Sequence, residues 1–252
     1  MVLIVPVMVK PSALGFTITG TINTTATCWT ATYDDTDLVL LRLDISQNQL
    51  TEEGRFSVGK LDTLQYSLAR VGDHWLTGFD EIGEDWLLID TDKGTADVFS
   101  LGDDSSSTPV TGDGSSFYLT NHGDAVKRLD RYTDTGQLLK RSPVSSMEGE
   151  LTQPARLAII GDELFVGWFA TNLLFVYDMS DLSEVRTIDV EGFDDFIYGM
   201  SAADDGLFLM RSQEAGQGWR LGRFDPEDGS ADGELELATD DPYVTLSGLW
   251  CE

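Results

Sequence analysis

Apolar residues along this chain fall in short alternating runs, separated by clusters of Gly, Asp, Ser and Asn. Alternation of period two with such punctuation predicts β-strands joined by tight turns. One set of runs follows a polar turn: Cys28-Trp29-Thr30-Ala31-Thr32, His74-Trp75-Leu76-Thr77-Gly78, Ser116-Phe117-Tyr118-Leu119-Thr120, Glu163-Leu164-Phe165-Val166-Gly167 and Gly206-Leu207-Phe208-Leu209-Met210. Their second residues, at 29, 75, 117, 164 and 207, are spaced by 46, 42, 47 and 43. A second set ends in a small polar residue before a turn, at Asp44, Asp90, Thr133, Asp178 and Asp225, spaced by 46, 43, 45 and 47. Two independent markers with one period of about 45 residues, four strands per period and no helical periodicity predict an all-β β-propeller.

Within each unit the strands are labelled a to d from the axis outward. The marker sets are strands b and c. Strand a is expected at 65–71, 108–111, 155–160, 198–203 and 244–251, and strand d at 55–58, 95–101, 138–144, 185–190 and 233–237. The chain therefore starts its repeats at b-c-d and finishes on a lone a strand. Five four-stranded blades result if that C-terminal strand completes the first blade, and residues 1–252 then form a single domain, with 1–20 as an N-terminal extension or edge strand. The competing arrangement makes 15–22 the a strand of blade one, which implies six blades or a fragment of a larger ring. Alignment on blade four, where Ile160 and Glu163 flank the Gly161-Asp162 turn, places Cys251 opposite Cys28, the only two cysteines. They form either a disulfide that clamps the ring or two neighbouring free thiols. Directly opposed strand positions work against disulfide torsions, and the long separation works for the stabilising effect of a bond.

The stretch Leu164 to Asp178, LFVGWFATNLLFVYD, resembles a YVTN- or NHL-type propeller repeat: a strand, a short Asn-containing loop, then a strand ending in Asp. The copy at 117–133 departs at the Asp, and the copy at 207–225 has a longer loop. The resemblance implies the fold. Because such families mix binding scaffolds with enzymes, it leaves activity open.

The formal net charge of −28, with acids spread along the whole chain and only five lysines, disfavours nucleic acid and anionic membrane surfaces as partners. Solubility in a saline habitat accounts for the acidity; a cationic ligand or bound divalent ions are the alternatives. The apolar run 2–9 lacks a basic leader and is too short to span a membrane. A periplasmic or secreted location is expected.

Candidate chemistry is sparse. No phosphate loop, nucleophile elbow or paired-Cys motif is present. His74 falls in an a–b turn and His122 in a b–c loop, on opposite faces of a propeller, so they do not share a metal. The acid pairs fall in loops, and the a strands are nearly free of carboxylate, which argues against a glycosidase with axial acids. The Asp that ends strand c is expected to accept hydrogen bonds from its turn. Asp90-Thr91-Asp92-Lys93-Gly94 and Asp225-Pro226-Glu227-Asp228-Gly229 look in part like calcium loops, but lack the full ligand set. No cofactor is therefore expected, with a divalent cation such as Ca²⁺ as the alternative.

The b–c and d–a loops share one face around the channel mouth and bring aromatics and acids together. Candidate ligand residues are Phe79, Asp80, Trp168, Asp194, Tyr198 and Tyr243, with Arg70 and Arg156 as the only cations on a strands. Aromatics beside carboxylates suit a protein, peptide, sugar or cationic small molecule. The expected function is a non-catalytic binding module; the alternative is a hydrolase or lactonase-like enzyme with a divalent ion held by loop carboxylates.

Overall fold

The computed structural model describes residues 16–34, 37–58, 67–78, 85–101, 110–121, 128–143, 154–168, 172–190, 197–212, 218–239 and 246–252. Five antiparallel sheets are arranged around an axis. Blade one runs, from the axis outward, β21 (Ser247–Cys251), β2 (Thr27–Asp34), β3 (Asp37–Asp44) and β4 (Gln49–Ser57). Blade two is β5 (Ala69–Val71), β6 (His74–Gly78), β7 (Asp85–Asp90) and β8 (Thr95–Ser100). Blade three is β9 (Val110–Gly112), β10 (Ser116–Asn121), β11 (Arg128–Thr133) and β12 (Leu138–Pro143). Blade four is β13 (Pro154–Ile160), β14 (Glu163–Trp168), β15 (Leu173–Asp178) and β16 (Glu184–Asp189). Blade five is β17 (Ile197–Ala203), β18 (Gly206–Ser212), β19 (Gly218–Phe224) and β20 (Ala231–Ala238), with β1 (Thr17–Ile22) as a fifth strand outside β20. The inner strands touch in the cyclic order β21, β5, β9, β13, β17 and back to β21, so the ring closes at five.

The segment 15–22 is thus not the inner strand of blade one, as the competing closure required. β1 pairs antiparallel with β20, from Thr17 opposite Ala238 to Ile22 opposite Gly233. Its alternation explains why: Ile18 and Ile22 are buried, while Thr17, Thr19 and Thr21 face solvent. The inner strand of blade one is β21, with Cys251 opposite Cys28 and Trp250 opposite Trp29. The two sulfurs are bonded, joining residues 223 apart in sequence, and both side chains are buried.

Both faces of each sheet are apolar because each blade packs between two others. Among the described residues the core accordingly divides into five clusters, one per junction. That between blades five and one is the largest, and it takes in Phe16, Ile18 and Ile22 as well as both cysteines. Trp75 and Leu38 lie between blades one and two, Trp86 and Phe117 between two and three, Tyr118 and Tyr177 between three and four, and Phe165 and Leu209 between four and five. Burying one such side chain contributes roughly 1.5–3 kcal/mol.

At the axis the inner strands approach backbone to backbone. A Cβ on Gly199 would lie 2.6 Å from Leu249 Cβ, and one on Gly248, whose φ is +69°, would lie 2.6 Å from Leu68 N. These two glycines seat β21 between blades five and two. Gly199→Ala is expected to destabilise the protein by about 1–3 kcal/mol through overpacking, measured by urea denaturation; an unchanged midpoint would show that β21 has room to move outward.

Candidate functional site

Because the strands alternate in direction, the ring has two unlike faces. The a–b and c–d turns form the first. There every strand c ends in, or in blade five is followed at once by, a residue whose side-chain oxygen accepts a hydrogen bond from the turn. Asp44 Oδ1 accepts from Gln47 N at 3.1 Å, Asp90 Oδ1 from Lys93 N at 2.9 Å, and Thr133 Oγ1 from Gln137 N at 3.0 Å. Asp178 Oδ1 accepts from Ser180 N at 2.7 Å and Asp225 Oδ1 from Glu227 N at 2.7 Å. These acids act as turn acceptors, and Thr133 does the same work with a hydroxyl. Among the described residues no three His, Cys, Asp or Glu side chains come together as a metal-binding group.

Asp90 is the most tightly held of these acids. Lys93 Nζ donates to its Oδ2 at 2.6 Å, and His74 Nε2 stands 3.4 Å from the same oxygen. The hydrogen bonds from Lys93 hold the Asp90 carboxyl down at about 2, and the ammonium of Lys93 is raised in turn. Asp178, Asp181 and Asp228 are also lowered, chiefly by hydrogen bonds from Ser180, Ser183 and Ser230. His122 lies outside the described residues.

The b–c and d–a connections form the second face, where β2, β6, β10, β14 and β18 end and the inner strands begin. Of the candidate ligand residues, Phe79, Asp80, Asp194 and Tyr243 lie outside the described residues. Trp168 is the last residue of β14, opposite Pro154, and its side chain is likewise outside the description. Tyr198 sits at the bulge between Ile197 and Gly199, half-buried, and meets Trp219 edge to face at 5.0 Å. It packs on the core cluster between blades five and one. Trp219 carries no signal in the repeat, because it is the second residue of β19, ahead of the repeated apolar register of strand c.

The two inner-strand arginines are not brought together. Arg156 lies near the start of β13, at the second face, and is buried. Arg70 lies next to the a–b turn, at the first face. Its guanidinium stacks over Trp75 at 4.9 Å, and its Nε donates to Gly72 O at 3.1 Å. The inner strands carry no carboxylate.

Hydroxyls, which the sequence reading did not single out, gather toward the second face. Thr30 Oγ1 donates to Gly248 O at 2.8 Å and Thr77 Oγ1 to Ser67 O at 2.7 Å. Thr32 Oγ1, Ser67 Oγ and Thr120 Oγ1, on three different blades, are buried without a hydrogen-bond partner among the described residues. Buried polar atoms of this kind are normally satisfied by water or a ligand.

One buried charge cluster lies away from both faces. Asp130 on β11 is 1% exposed; Arg141 places Nε and a terminal nitrogen each 2.9 Å from its oxygens, and Arg128 Nε is 3.4 Å away. Tyr132 Oη is 3.4 Å from Asp130, and burial first, then the Asp130 charge, raises the tyrosine hydroxyl. Tyr132 stacks on Phe117 within the core between blades two and three, so the cluster holds β11 and β12 to that junction.

No protein-family model matches the sequence, and no curated protein matches it. Among solved structures, the chain is similar to the glutaminyl cyclase of Myxococcus xanthus, at 12% identity and a TM-score of 0.53 over 75% of this chain and 71% of that one. It is also similar to a chain of the nidogen–laminin complex, at 12% identity and a TM-score of 0.52 over 86% of this chain and 81% of that one.

Because the folded Asp90 value lies below that of a free carboxylate, its contribution to stability is complete above about pH 4 and is lost as pH falls through about 2. A carboxyl NMR titration should place Asp90 near 2, and Lys93→Met should return it toward the ordinary range. A likeness at 12% identity speaks to architecture alone, and it agrees with the closed ring of five sheets: the chain is a five-bladed β-propeller.

Proposed function

We propose that the protein is a non-catalytic binding module that takes its ligand at the second face, where the b–c and d–a connections meet the inner strands. The observation that carries this reading is the contrast between the faces. On the first face, short turns are pinned by their own side chains. At the second face, buried hydroxyls of Thr32, Ser67 and Thr120 have no hydrogen-bond partner among the described residues. Binding residues are commonly placed on longer connections held by a rigid scaffold. The sequence puts Phe79, Asp80, Trp168, Asp194 and Tyr243 on or beside those connections, and Arg156 stands at the same end of its blade.

Aromatics with carboxylates favour a cationic group, on a peptide, a protein segment, a sugar derivative or a small molecule. The blade-four repeat supports a YVTN/NHL-like relationship: Asn172 of its loop bonds Asp189 on the outer strand through its side chain, and Val190 N donates to Asn172 O at 2.9 Å. The Cys28–Cys251 bond supports an oxidising, extracytoplasmic location. No helix among the described residues is long and apolar enough to cross a membrane.

Arrays of basic peptides and of glycans, probed with the oxidised protein, test the reading. A bound probe is expected to lose at least tenfold in affinity with Trp168→Ala and with Asp194→Asn. Equal binding by wild type and both variants would remove this face, and Ca²⁺-dependent turnover of lactone or ester substrates would replace the module with an enzyme.

A further inference from the structure

The outer edges of the five blades are not protected alike. In blade five, β1 covers β20. In blades one, three and four the outer strand is bulged, with Glu53, Leu139 and Val185 as the extra residues between paired neighbours. These strands also carry charge: Glu52, Glu53 and Arg55 on β4, Lys140 and Arg141 on β12, Glu184 and Arg186 on β16. Bulges and edge charges are the means by which sheets avoid pairing with other chains.

Among the described residues, blade two has no bulge on its outer strand and only one edge charge. All six residues of β8 pair with β7 in unbroken register, from Thr95 opposite Asp90 to Ser100 opposite Asp85. β8 holds no Lys, Arg, Pro or Gly, and Asp97 is its single charge. Val98 is 60% exposed, the most exposed of the large hydrophobic residues among those described. No described strand pairs with its outer side. In blade five the fold already accepts a fifth strand at this position, and β1 is the template for it.

We propose that the outer edge of β8 is a docking site for an extended basic segment of a partner protein, which adds to blade two as β1 adds to blade five. Main-chain hydrogen bonds along the edge supply affinity, and the exposed Val98 supplies an apolar contact for an alternate side chain of the incoming strand. Charge selects the occupant. A body of net charge −28 attracts a basic strand and repels a second copy of itself. This edge is separate from the second face, so either proposal can fail without the other.

The probe is a fluorescein-labelled peptide of alternating lysine and valine, compared with its glutamate–valine counterpart and a proline-interrupted version, at about 0.15 M salt. The lysine–valine peptide is expected to bind and the other two are not. Val98→Lys should weaken binding at least tenfold, while Leu139→Lys on blade three leaves it unchanged. Hydrogen exchange on the wild-type protein provides a measure independent of variant folding: the peptide should slow exchange at residues 95–100. Absence of binding, equal binding by the glutamate peptide, indifference to Val98→Lys, or no protection at 95–100 would overturn the proposal. So would a wild-type dimer in sedimentation that Val98→Lys abolishes, because the occupant would then be a second copy.

Discussion

Everything in this molecule depends on closing the ring between blades five and one. Four junctions are crossed once by the chain, through a d–a connection. The fifth is crossed twice: residues 23–26 lead from β1 on blade five to β2 on blade one, and residues 239–246 lead from β20 to β21. Both ends of the described chain therefore serve one seam, and the largest core cluster fills it. The Cys28–Cys251 bond lies inside blade one, where it ties β21, the strand that follows blade five in the chain, to β2, and so closes the ring covalently through that blade. In the chain-entropy account, a cross-link over 223 residues stabilises the ring on the order of 5 kcal/mol. That is comparable to the whole net stability of many domains.

The tight axis has a consequence for chemistry. Where Gly199 and Gly248 let backbones meet, the inner strands present main chain and small side chains rather than acids. Among the described residues, the hydroxyls of Thr32, Ser67 and Thr120, buried without a hydrogen-bond partner, lie toward the strand ends at the second face. The acids of the first face are engaged in holding turns.

Much of this architecture was legible in the chain. The period of about 45 residues gave the blades, and the register of blade four carried over to put Cys28 opposite Cys251. The final acid of strand c was readable as a turn acceptor because its spacing to the turn N–H is local. Non-local facts were not readable. Thr17 to Ile22 alternates like any edge strand, and nothing in its sequence says which edge it joins. Arg70 and Arg156 both belong to inner strands, but their levels along the axis differ, and a repeat alignment by strand hides that difference. The Asp130 cluster needed the pairing of β11 with β12 to become visible. Bulges add one residue to a short strand and leave no mark in the period, so the unbulged edge of β8 was equally hidden.

The seam is tested most directly by native-state hydrogen exchange on the oxidised protein and on the protein after reduction of Cys28–Cys251. Loss of the cross-link should lower protection first in β21, β2, β1 and β20, with β6, β10 and β14 following only at global unfolding. A uniform fall across all five blades, or no change in the seam strands, would contradict the claim that the ring is held from this junction.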